Sequence, residues 1–123
     1  MKLFLLIPAF LFAHFCSAQT SDDRVDALRM AFITKELQLT PGEAQQFWPV
    51  YNNYVNELKS ASSTYTNDEI KREETIVEIR KKYKDPFRKI LNSDDRVNKV
   101  YTLERKYREL LRNELQKRQQ KQP

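Results

Sequence analysis

The 123-residue chain contains one glycine, one cysteine, one histidine and one tryptophan. Phosphate-cradling loops are built on several glycines, so Gly42 alone excludes both a P-loop and a dinucleotide fingerprint. A single cysteine forms no internal disulfide, and one Cys with one His makes no zinc site. Tight β-turns rely on glycine for positive φ, so its scarcity points away from a β-rich fold. The length allows one small domain. The composition therefore leans all-helical before any pattern is read.

Two of the scarce residues fall in the N-terminal segment. Residues 1–18 read as a secretory signal peptide: Lys2 is the positive start, Leu3 to Phe15 is almost wholly apolar, and Cys16-Ser17-Ala18 offers small residues for cleavage after Ala18. The apolar run of about 13 residues is short of the roughly 20 that a spanning helix needs. Bulky Phe15 fits lipid attachment at Cys16 poorly. Cleavage removes His14 and Cys16, and loss of Lys2 takes the formal charge from +5 to +4. The expected mature protein is exported, has neither imidazole nor thiol, and is lean in apolar residues. Such a chain is expected to fold as an elongated shape or to bury surface in an oligomer.

Four helical segments follow. The first spans about Asp22 to Leu37, with Ser21 as cap and a stripe of Val25, Leu28, Phe32 and Leu37 or Ile33. The second opens on Thr40-Pro41-Gly42-Glu43, a capping box with proline at the first helical position. Apolar residues then recur at Phe47, Trp48, Tyr51, Tyr54, Val55 and Leu58, and Pro49 predicts a bend. Ser60 to Asn67 reads as a loop. The third segment, about Asp68 to Leu91, has the stripe Ile76, Ile79, Tyr83, Phe87 and Ile90 or Leu91, with a kink or break predicted at Pro86. The fourth starts at Asn92 or Ser93 and carries Val97, Val100, Tyr107, Leu111 and Leu115, flanked by Leu103 and Leu110. Helical structure is expected over residues 19–116, with a basic, disordered tail at 117–123.

A faint repeat at an offset of 52 aligns Leu39-Thr40-Pro41-Gly42-Glu43 with Leu91-Asn92-Ser93-Asp94-Asp95. Charge is divided: residues 19–68 carry 4 basic and 7 acidic residues, and residues 69–123 carry 17 and 10. The clusters at Arg80, Lys81, Lys84, Arg88, Arg105, Arg108 and Arg112 read either as a solvated face or as a docking surface for an acidic partner or a flexible client. The aromatic group Phe47, Trp48, Tyr51 and Tyr54 reads either as core or as part of that surface.

Chemistry is scarce. No Ser–His or Cys–His pair can form in the mature chain. Adjacent carboxylates such as Asp94/Asp95 sit at helix starts, where the dipole explains them. Glu-x-x-His pairs and alternating oxygen ligands are both missing, so neither a di-metal bundle nor a calcium loop is expected. Basic residues interleaved with tyrosine suit nucleic acid, but an exported protein rarely meets it.

The stretch from Phe32 to Tyr51, with Leu39-Thr40-Pro41-Gly42-Glu43 at its centre, resembles the Spy/CpxP (LTxxQ-motif) periplasmic proteins. It is similar to the branch described as sensors linked to extracytoplasmic-function sigma factors. The second motif, from Ile90-Leu91 to Tyr107, resembles that branch as well. Glu43 stands where the pattern has Gln, and Asn92 and Asp95 replace its Thr and Gln. The resemblance implies an elongated bundle of about four helices, a long helical hairpin able to form a cradle-like homodimer. It places the helix-cap motif at Leu39, Thr40 and Glu43 and at Leu91, Asn92 and Asp95. It implies a non-enzymatic envelope-stress regulator binding a signalling protein, or an ATP-independent chaperone for unfolded clients. No cofactor and no tight metal site are expected, because relatives that sense metal use histidine.

Overall fold

A computed structural model describes residues 21–122, with side chains from residue 23. The leader at 1–18 and the side chain of Ser21 lie outside the described residues. The fold is all-α: α1 Ser21–Leu37, α2 Pro41–Thr64, α3 Glu69–Leu91 and α4 Asp94–Gln120.

Two short joints bring four helix termini to one end. Gln38 (φ 51°) and Asn92 (φ 52°) take the left-handed conformation just past α1 and α3. This turns the chain in two residues at Gln38–Leu39 and in one at Asn92, before the next cap. α2 and α3 form an antiparallel hairpin, in which Tyr54 meets Tyr83 at 5.4 Å between ring centroids and Lys82 reaches Glu57 at 2.6 Å. α1 lies antiparallel to α4, where Phe32 meets Tyr107 at 5.5 Å and the Tyr107 hydroxyl donates to the Val25 carbonyl at 3.1 Å.

The core is strongest near the joints. Ile33 and Leu37 come from α1, Phe47, Tyr51 and Tyr54 from α2, Tyr83, Phe87 and Leu91 from α3, and Val97, Val100 and Leu103 from α4. Phe87 packs against Phe47 and edge-on to Tyr54, at 5.7 and 5.5 Å. Rings give a lean chain the most buried area per residue, and edge-on geometry adds a favourable quadrupole term.

Several expectations need correction. Val25 and Leu28 are 43% and 59% exposed, because the core reaches only the last part of α1 and Ile33 fills it there. Leu103 is fully buried at the centre of the α4 stripe, not on its flank. Neither proline breaks its helix. The carbonyls that lose a partner belong to Gln45 and Lys82, both exposed residues where water is at hand, and buried rings on either side of each proline hold the helix in place. The loop expected from Ser60 is helical to Thr64, and Ala61 is buried there. The helix of the C-terminal tail continues through Lys117 to Gln120.

Candidate functional site

The cap of α2 is formed as predicted. The Glu43 amide donates to Thr40 Oγ1 at 3.2 Å, and the Thr40 amide donates to Glu43 Oε1 at 3.0 Å. The second cap is shifted by one residue. Asn92 ends α3 in the left-handed conformation, and Ser93 caps α4 by accepting from the Arg96 amide at 3.3 Å. Asp94 is therefore the first helical residue and Asp95 the second, with Arg96 third, so the expected cap of Asn92 with Asp95 does not form. Short polar Asn tolerates positive φ, and that use of Asn92 leaves capping to Ser93.

Arg96 carries information the local patterns did not show. Its Nε donates to the Leu37 carbonyl at 3.0 Å. One terminal nitrogen donates to Glu43 at 2.7 Å and to the Leu91 carbonyl at 2.9 Å. The other donates to Glu43 at 3.0 Å and to the Gln38 carbonyl at 3.4 Å. All five N–H donors are thus engaged, tying the ends of α1 and α3 to the start of α2. The guanidinium and the capping amide hold the Glu43 carboxyl at a pKa of about 2. The only sequence cue is an arginine in the third helical position of α4, where a negative charge is usual.

Farther along the helices, a groove lies between the α2–α3 hairpin and the α1–α4 pair. The groove encloses about 680 Å³. Its apolar lining includes Val55, Leu58, Ile76, Val100 and Tyr101, and its cations are Arg29, Lys59, Arg80, Arg105 and Arg108. Glu104 is the one carboxylate of the lining, and it accepts a hydrogen bond from the Tyr51 hydroxyl. Burial, followed by that bond, pushes the Tyr51 hydroxyl well above the usual tyrosine range. Tyr54 is also shifted up, chiefly by burial, with Arg80 opposing. Arg29 pairs with Asp26 at 2.9 Å, whereas Lys59, Arg80, Arg105 and Arg108 have no carboxylate partner among the described residues.

Three of the basic residues singled out in the sequence, Arg80, Arg105 and Arg108, therefore meet at one groove. Lys81 instead pairs with Glu78 at 3.1 Å, and Arg88 pairs with Asp94. Lys84 and Arg112 are exposed outside the groove. Arg29 and Lys59 were missed because they come from the acidic half of the chain. Phe47 and Tyr51 are no partner surface: they are core, buried to within 1%. Tyr54 is core too, at 2% exposed, and only contributes to the groove floor. Their face of α2 is the one covered by α3 and α4. Trp48 is half-buried and stacks edge-on against Phe47 at 5.1 Å.

Comparison with protein-family models, curated proteins and solved structures finds no match to this chain. Among the described residues, no group of three His, Cys, Asp or Glu side chains is placed to hold a metal ion. None of the described helices is long and apolar enough to cross a membrane.

Proposed function

We propose that this chain is a non-enzymatic, periplasmic envelope-stress regulator that binds an acidic segment of a signalling protein in the groove between its helix pairs. The observation that carries this reading is the imbalance of the lining: five cations face one carboxylate, and that carboxylate already holds the Tyr51 hydroxyl. Arg80, Arg105 and Arg108, which have no carboxylate partner among the described residues, stand beside an apolar floor and suit a partner that brings both carboxylates and apolar anchors. The helical resemblance to LTxxQ-motif proteins supports the same class of role, and homodimerisation belongs to that resemblance. Sedimentation of the purified chain checks the dimer.

The test is a pull-down from envelope extract with the wild-type chain and with Arg80→Ala/Arg105→Ala/Arg108→Ala. One dominant membrane protein captured by the wild type and lost with the triple variant supports the regulator. Equal capture by both chains removes the groove from the account.

A chaperone reading is favoured by a different observation, the exposed Val25 and Leu28, one turn apart on α1. An apolar strip of this kind would take unfolded clients with little selectivity. Suppression of aggregation of a denatured model protein checks it, and no effect at several-fold molar excess removes it.

A further inference from the structure

The first two turns of α3 carry a face of the chemistry that the groove lacks. Ile70, Glu73, Glu74 and Val77 are all exposed, the two apolar side chains by 66% and 45%. At about 100° per residue, these four fall within about 100° of one another, on the side of α3 opposite the buried Ile79. Arg72 is held by Glu69, and Lys81 pairs with Glu78 at 3.1 Å. Glu73 and Glu74 have no cation partner among the described residues. Lys71 borders the face on one side, and Lys81 and Lys84 continue it toward Asn92, so its acidic part is confined to those two turns.

The groove is the complement of this face. Lys59, Arg80, Arg105 and Arg108 stand without carboxylate partners beside the apolar floor. The same stretch of α3 also builds one wall of the groove. Ile76 and Arg80 line it, about a quarter of the way round the helix from Val77. Face and groove therefore lie side by side, and two copies related by a twofold axis can each lay the face in the other's groove, a contact that closes on a pair. We propose that a second copy of this chain occupies the groove in a reciprocal homodimer. Its Ile70 and Val77 meet the apolar floor, and its Glu73 and Glu74 meet the four unpartnered cations. The proposal shares with the proposed function the reading of the groove as a site for acidic, apolar segments, but it does not depend on the signalling partner. A groove filled by a second copy is closed to other acidic segments, so self-association competes with that partner.

Sedimentation equilibrium with charge-reversed chains tests it. Every variant carries the same N-terminus, so differences come from the face and the groove. The wild type should form dimers that weaken as salt rises. Glu73→Arg/Glu74→Arg and Lys59→Glu/Arg105→Glu should each raise the dimer dissociation constant about tenfold or more, because like charges then meet. An equimolar mixture of the two should return to within about threefold of wild type, since each face then meets a groove of opposite charge. Far-UV circular dichroism verifies that each variant is folded, and recovery on mixing shows the same. A monomeric wild type would overturn the proposal. So would dimers that survive either reversal, a mixture that does not recover, or assemblies that grow beyond a pair. The pull-down reads the signalling partner separately: a monomeric wild type that still captures a membrane protein overturns the dimer alone, whereas a dimer with no captured protein overturns only the regulator.

Discussion

Glu43 and Arg96 occupy the same position in two different helices, the third residue after the cap, and they bind each other. Their separation is 53 residues, and the hydrogen-bonded pair Tyr51 and Glu104 has the same separation. Thr40 and Ser93, the two caps, also differ by 53, as do the buried pairs Phe47/Val100 and Tyr54/Tyr107. The starts of α2 and α4 are thus equivalent in register, and they meet through residues of opposite charge. The sequence alignment at 52 was one short, because it matched Asn92 to a cap when Asn92 ends the preceding helix.

Arg96→Ala should destabilise the fold by about 2–3 kcal/mol, since it leaves the Glu43 carboxylate and three backbone carbonyls without their donor. Arg96→Lys should recover less than half of that loss, because an ammonium cannot span acceptors on three helix ends. Urea unfolding monitored by circular dichroism measures both.

Stability should fall as pH drops from about 4.5 to about 2. The folded Glu43 carboxyl lies at about 2 against an ordinary value of 4.5, held down first by the Arg96 hydrogen bond. A depressed folded pKa contributes stability that is complete above the unfolded value and is lost as pH falls through the folded one. Glu43→Gln should flatten that part of the profile. A variant profile parallel to wild type would show that Glu43 is not its source.

The tyrosines give the opposite limb. Burial raises the folded pKa of Tyr51 and Tyr54 above the ordinary value of 10. Their contribution is complete below 10 and is lost as pH rises. Absorbance titration should find at least these two of the six tyrosines ionising only together with unfolding. Tyr51→Phe should remove one of them.

Phe87→Ala should cost about 3–5 kcal/mol, as it empties the centre of a ring cluster shared with Phe47 and Tyr54. Leu28→Ala, on the exposed part of α1, should stay within about 0.5 kcal/mol. Thermal melts of the two variants would distinguish a core that ends near Ile33 from one that runs the whole helix.

Glycine sits where it is not needed and is missing where it would help. Gly42 lies in the first turn of α2, and a Cβ there would meet nothing within 4 Å. Gln38 carries a side chain at φ 51°. Gly42→Ala and Gln38→Gly should each stabilise by about 0.5–1 kcal/mol. Differential scanning calorimetry should show both melting temperatures above wild type.

Much of the fold was legible because local chemistry wrote it. Thr40 and Glu43 carry a cap that needs only neighbouring residues, and the spacing of Ile79, Tyr83, Phe87 and Leu91 needs only one helix. What could not be read needed a second helix. Whether Phe47 and Tyr51 face solvent depends on α3 and α4 covering them. Arg96 looks like any exposed helix cation until the carbonyls of Leu37 and Leu91 are brought beside it. The groove was half visible for the same reason: Arg80, Arg105 and Arg108 lie in an obviously basic region, while Arg29 and Lys59 join them only through the packing of four helices.

The helix ends are fastened together in one place, and that has a mechanical meaning. From Arg96 to its end at Gln120, α4 extends about 36 Å. A tilt of about 5° at the hub moves its far tip by about 3 Å, roughly the span of one hydrogen bond. The groove walls belong to helices joined at that end, so for a given angle between them the groove widens with distance from the joint.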